Sequence, residues 1–146
     1  MTDNSSWESI LASIMEEFSC QTGTIHQSNA EKNLNLICQI GVPDSLLDKI
    51  SHIPFGKGIA GVAAESKQPV ELCNLQLDLG NVAKPDARQT GVSGSIALPI
   101  FANENDQVIG TLGIGKYVPY EFTSEEKQRL ASHARKLAQL FAHKLA

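Results

Sequence analysis

Residues Ile53 to Leu75 read IPFGKGIAGVAAESKQPVELCNL. Gly58 to Ser66 has the make-up of a short small-residue helix, and Pro69 to Asn74 that of a short buried strand. From Gly56 the chain also reads GKGIAG, a formal fit to G-x-G-x-x-G. A dinucleotide fingerprint needs a buried strand running into it, so that helix N–H groups meet a phosphate. The preceding PDSLLDKISHI reads as helical, so the glycines are assigned to turns.

On the N-terminal side the pattern has period two. Cys20 to Gln27 and Asn33 to Ile40 flank the polar SNAEK, with Leu34, Leu36, Cys38 and Ile40 alternating against Asn33, Asn35 and Gln39. That alternation predicts an antiparallel hairpin. Gly41 and Pro43 end it, and Asp44 can cap a helix carrying Leu46, Leu47 and Ile50. On the C-terminal side a second hairpin is predicted from about Val92 to Phe101 and Gln107 to Gly115, joined by ANEND. Its strands are apolar on both faces, which places them in a sheet covered on both sides.

Amphipathic helices close the two ends. Ser5 and Glu8 stand at capping-box spacing before the stripe Trp7, Ile10, Leu11, Ile14, Met15 and Phe18. Thr123 and Glu126 repeat the device before Leu130, Ala134, Leu137, Ala138, Phe141 and Leu145. These helices are predicted to cover one side of the sheet and the middle helices the other. Their apolar positions, Trp7, Ile14, Phe141 and Leu145 among them, also suit a symmetric helical bundle, so a homodimer through the terminal helices is expected.

With 146 residues the chain is read as one domain, 1–146. It is 42% hydrophobic and 19% charged, as soluble globular chains are. The net charge of -4 and scattered Lys and Arg leave no footprint for nucleic acid. No apolar run is long enough for a membrane span, and MTDNSSWESI lacks the features of a signal peptide, so a cytoplasmic location is expected. Three cysteines, Cys20, Cys38 and Cys73, are an odd number with no CxxC spacing, which argues against a disulfide framework and a zinc site. Each is read as a small hydrophobe in a strand-like stretch. His26 at a strand end, His52 before the glycine turn, and His133 and His143 on the last helix have no metal-ligand spacing and are read as surface or turn residues.

Gln76 to Ser95 is polar, glycine-containing and set between two strands read as central, so it is predicted to cross a face of the sheet. A loose cover over an apolar sheet is where a pocket forms. Ser93, Gly94, Ser95, Gly110, Thr111 and Gly113 leave room above the pleat, or else admit a closely packed helix. The ligand-binding candidates are Cys73, Asn74, Asp78, Val82, Asp86, Arg88, Ser93, Ser95 and Thr111. Asp78, Asp86 and Arg88 are the polar contacts among them.

The order of elements resembles the GAF domain family over nearly the whole chain. Ile53-Pro54 with Gly56, Gly58, Ile59 and Gly61 is similar to the family's strand-exit turn and helix, and Gln68-Pro69-Val70 to its next strand. Ala97-Leu98-Pro99-Ile100 and Ile109-Gly110-Thr111-Leu112 are similar to its central hairpin. The resemblance implies an α+β fold, with an antiparallel sheet of about six strands, terminal helices on one face, and short helices, a crossing loop and a ligand chamber on the other. Ile53 to Leu75 then forms one wall of that chamber and its hinge.

Specialised members of the family carry further motifs. The Asn-Lys-Phe-Asp-Glu constellation of cyclic-nucleotide binders has no counterpart here, and Gln76 to Ser95 lacks the Cys and His of bilin binders and the His of haem sensors. The free methionine-R-sulfoxide reductase branch needs an attacking and a resolving cysteine, and only Cys73 stands near that wall. Three readings therefore remain: a non-catalytic small-molecule sensor acting in signalling through a dimer or partner, with the ligand and any cofactor unidentified; a dimerisation scaffold with a filled chamber; and a reductase.

Overall fold

A computed structural model describes residues 4–72, 93–102 and 107–145. Cys73, Asn74, Asp78, Val82, Asp86 and Arg88 lie outside the described residues, as do the side chains of Ser5, His143 and Leu145.

Helix α1, Asn4–Glu17, leads into the hairpin β1, Thr22–Ser28, and β2, Asn33–Ile40. A 3-10 turn at Asp44–Leu46 runs into α2, Leu47–Ile50, then β3, His52–Pro54, α3, Gly58–Ser66, and β4, Val70–Leu72. The second hairpin is β5, Gly94–Phe101, and β6, Val108–Lys116, and α4, Ser124–Leu145, closes the chain. The six strands form one sheet in the order β3-β2-β1-β6-β5-β4, and every pairing is antiparallel.

The sheet has two different sides because its strands alternate. Ile25, Ile96, Leu98, Ile100, Leu112 and Ile114 turn to one side, where they pack with Trp7, Leu11, Ile14 and Phe18 of the α1 region and with Leu130, Leu137 and Phe141 of α4. On the opposite side Leu34 and Val108 pack with Ala64 of α3, bordered by Ile53, Phe55, Ala60 and Phe101. Trp7, Ile14 and Phe141 are thus buried in the chain's own core and are not exposed for a bundle between copies.

Side-chain bonds fix the helix ends. Thr123 N–H donates to Glu126 Oε1 at 2.9 Å and Glu126 N–H to Thr123 Oγ1 at 3.1 Å, the reciprocal capping box. Tyr120 Oη donates to the same carboxylate at 2.8 Å. Glu71 joins β4 to α4, accepting from Phe122 N–H at 2.8 Å and pairing with Lys127 at 2.8 Å. The buried ammonium of Lys116 donates to Phe18 O and Ser19 O at the end of α1 and lies 4.2 Å from the Tyr120 ring centroid. It supplies a cation to carbonyls that a helix end leaves without partners.

Four local expectations change. Cys20 lies in the α1–β1 connection, outside any strand, with its N–H bonded to Met15 O. Asp44 is the first residue of the 3-10 turn; Pro43 is at the cap position and gives no side-chain cap, since it has no hydroxyl or carboxylate. The glycine turn does follow a strand, but β3 is a three-residue edge strand with His52 and Pro54 exposed. β4 is the other edge and pairs directly with β5, so Gln76 to Ser95 starts from an edge strand and not from a central one.

The glycines of GKGIAG are explained by backbone geometry. Gly56 and Gly58 hold φ of +87° and +66°, values that suit glycine. A Cβ on Gly61 would stand 2.6 Å from Pro54 O, where α3 presses against the end of β3 and Gly56 N–H reaches Gly61 O at 2.7 Å.

Candidate chamber between the sheet and the short helices

A chamber of about 290 Å³ lies on the side of the sheet away from α1 and α4. Its floor is the upward face of the central strands. Thr22, Thr24 and His26 of β1 alternate with the downward Gly23 and Ile25, and Ser95 and Ala97 of β5 and Gly113 of β6 continue that face. The walls are Val42, Leu46, Lys49 and Ile50 before and along α2, Ile53 and Pro54 of β3, and Lys57 to Ala60 at the start of α3. The first half of the opening stretch therefore supplies one wall.

Small residues serve both faces. Gly113 opens the chamber floor, where an added Cβ would meet Thr24 Oγ1 at 2.9 Å. Gly110 points the other way, and a Cβ there would fall 2.3 Å from His26 O and 3.1 Å from the Phe141 ring. Gly94 packs against Tyr120 and Val118, away from the chamber lining. Room for a pocket and close helix packing are both present, at alternate positions.

His26 is the polar centre of the floor. It is 1% exposed, lies within β1 and not at its end, and its ring Nε2 is 2.8 Å from Ile50 O. A carbonyl accepts only, so Nε2 carries the proton. Burial pushes the His26 pKa below its ordinary value, with the Ile50 bond opposing in part. The ring is therefore neutral at pH 7, and Nδ1 offers a lone pair that has no partner among the described residues. Thr111, opposite His26 in the β1–β6 register and also 1% exposed, has an unpartnered Oγ1 as well.

Of the candidates read from the sequence, Ser95 lines the chamber and donates from Oγ to Ile114 O at 3.4 Å. Thr111 sits beside His26 on the chamber face. Ser93 is buried at the entry to β5, its N–H bonded to Lys116 O, and does not line the chamber. His26, Lys49, Lys57 and the start of α3 were missed. The alternation Thr22, Thr24, His26 against Gly23 and Ile25 marks a polar strand face and is the signal that could have found His26.

The two described cysteines stand elsewhere. Cys38 is in the core beneath the terminal helices and Cys20 borders it. Burial pushes both thiols up to about 11. Among the described residues no group of three or more metal-ligating side chains occurs. No helix of the described residues is long and apolar enough to cross a membrane.

The GAF domain family model matches residues 8–142. Among solved structures, the GAF domain of a phosphoenolpyruvate-protein phosphotransferase from Coxiella burnetii is similar at 20% identity with a TM-score of 0.80, over 96% of this chain and 82% of that one. The type II free methionine-R-sulfoxide reductase of Thermoplasma acidophilum is similar at 18% identity with a TM-score of 0.75, over 94% and 90%. A GAF domain/HD domain protein from Geobacter sulfurreducens gives 13% identity and a TM-score of 0.76, over 96% and 92%. At such identities the likeness is one of fold. No curated protein matches the chain.

Proposed function

The chain belongs to the GAF domain family, and from that premise we propose that it is a non-catalytic sensory module that takes up a small molecule in the chamber. The carrying observation is the buried polar atom at the floor that has no partner among the described residues, His26 Nδ1. Leaving such an atom unpaired costs about 1–3 kcal/mol, and a ligand that bonds to it recovers that cost. The strands under the chamber carry α1 and α4 on their other face. Occupancy is read out through those helices, in the cytoplasm, by a second copy or a regulatory partner meeting their solvated faces.

A thermal-shift screen of nucleotides, amino acids and organic acids, with native mass spectrometry of the purified protein, tests this against Gly113→Val, which fills the floor. At least one compound is expected to raise the melting temperature of the wild type and not of the variant. A silent screen together with a ligand-free mass spectrum removes the sensor and favours the scaffold.

The reductase alternative rests on Cys73. Cys20 and Cys38 are away from the chamber, and their raised pKa values suppress the thiolate that attack on a sulfoxide needs. Turnover of free methionine sulfoxide that is lost in Cys73→Ser would replace the sensor reading with this one.

A further inference from the structure

Resting on the sensor reading of the same chamber, we propose that its ligand is a small organic anion with an apolar body and one hydrogen-bond donor. The carboxylate or equivalent anion sits at the mouth, beside Lys57 and the start of α3, and the donor is buried against His26.

Three features lead to that class. The first is charge. The described residues lining the chamber include Lys49 and Lys57 and no Asp or Glu. Both lysines are exposed, so they stand at the rim and not on the floor.

The second is the end of α3. Gly58, Ile59 and Ala60 open this nine-residue helix and line the chamber. The first N–H groups of a helix have no acceptor within it, and they carry the positive end of its dipole. Lys57 at the cap position makes no side-chain cap bond to them, whereas Thr123 and Glu126 close the start of α4. Acidic residues are absent from the first turn of α3. An anion fits that end.

The third, independent of both, is His26. With Nε2–H committed to Ile50 O, its buried Nδ1 can only accept. A ligand that satisfies it must bring an N–H or O–H. Between these poles the lining is apolar, with Leu46, Ile53, Ile59 and Ala97. The volume equals about ten waters at ~30 Å³ each, near the lower end of small-molecule sites. That suits one ring system with a short acidic arm and is too small for a dinucleotide.

Indoleacetate has this shape: a ring N–H, an apolar body and a carboxylate. Calorimetry on the full chain should compare it with tryptophol, which replaces the carboxylate by a neutral alcohol, and with the N-methyl derivative of indoleacetate, which lacks the donor. Indoleacetate is expected to bind about tenfold more tightly than tryptophol, a gap in keeping with one exposed cation plus a helix terminus. Lys57→Gln is expected to narrow the gap to about threefold. The N-methyl derivative is expected to lose about tenfold on the wild type and nothing further on His26→Phe. The N-methyl comparison on the wild type stands even if His26→Phe does not fold.

Equal affinity for indoleacetate and tryptophol overturns the anion assignment and leaves the sensor reading in place. Equal affinity for indoleacetate and its N-methyl derivative overturns the donor to His26. Absence of binding by all three at millimolar concentration overturns the assignment as a whole, and a silent thermal-shift screen alongside it takes the sensor reading down too.

Discussion

The imidazole of His26 donates from Nε2 to the backbone carbonyl of Ile50 across 2.8 Å, tying the middle of β1 to the last residue of α2. One bond thereby joins the floor of the chamber to its wall and fixes the tautomer of the ring. It also makes the chamber's geometry depend on the charge of one residue.

Stability should respond to that charge. Burial holds the folded His26 pKa below 6.5, so the unfolded chain takes up this proton at higher pH than the folded one. The contribution is complete above 6.5 and is lost as pH falls through the folded value. The slope of unfolding free energy approaches about 1.4 kcal/mol per pH unit in that window. Urea unfolding at a series of pH values should show the loss in the wild type and not in His26→Gln. A flat wild-type profile just below 6.5 would mean that the ring is hydrated.

The two central glycines of β6 should respond oppositely to a single methyl. In Gly110→Ala the new Cβ meets backbone at His26 O and the packed Phe141 ring, so a loss of about 2–4 kcal/mol is expected. In Gly113→Ala its one close contact is the Thr24 hydroxyl, which can rotate, and Ile96 O stands at an ordinary 3.9 Å, so the loss is expected to stay below about 1.5 kcal/mol. Chemical denaturation of the two variants checks the order; a reversed order would place the chamber on the wrong face of the sheet.

Glu126 accepts from Thr123 N–H and Tyr120 Oη. Burial alone would raise its pKa, but the bonds from Thr123 and Tyr120 outweigh it and hold the carboxyl below its ordinary value. The same contact raises the Tyr120 pKa. Glu126→Ala is expected to cost about 1 kcal/mol through the lost cap. It should also let Tyr120 ionise at lower pH, as read by ultraviolet tyrosinate titration, and an unchanged titration would show that the contact does not persist in solution.

Folded Cys73→Ser protein retains only Cys20 and Cys38. With both pushed up to about 11, chiefly by burial, the thiolate fraction at neutral pH is roughly a hundredfold below that of a free cysteine. Labelling with a disulfide reagent should be slower than in the urea-unfolded chain by at least that factor. Comparable rates would mean that one of the two is exposed in solution.

Much of the architecture is legible in the residues taken singly and in short windows. The period of Trp7, Leu11, Ile14 and Phe18, the alternation in the two hairpins, and the Thr123–Glu126 box are local signals, because they depend only on how a helix or strand turns its own side chains. The two-sided apolar patterning of β5 and β6 was enough to place them in a sheet covered on both faces. The family pattern in Ile53 to Leu75 located one chamber wall.

What folding alone decided is which residues meet across the chain. β4 became an edge because, among the described residues, it pairs with β5 alone, and no property of Val70 to Leu72 announces that. Trp7 and Phe141 stack at 5.1 Å in the chain's own core, although the same stripes would serve a bundle between copies. Gly110 and Gly113 look alike in sequence, yet one admits a helix and the other opens a chamber. His26 is buried with its Nε2–H committed to a carbonyl that lies 24 residues away. Periodicity is written along the chain, whereas burial and hydrogen-bond partnership are set by surfaces brought together from distant segments, and the chamber is built from the second kind.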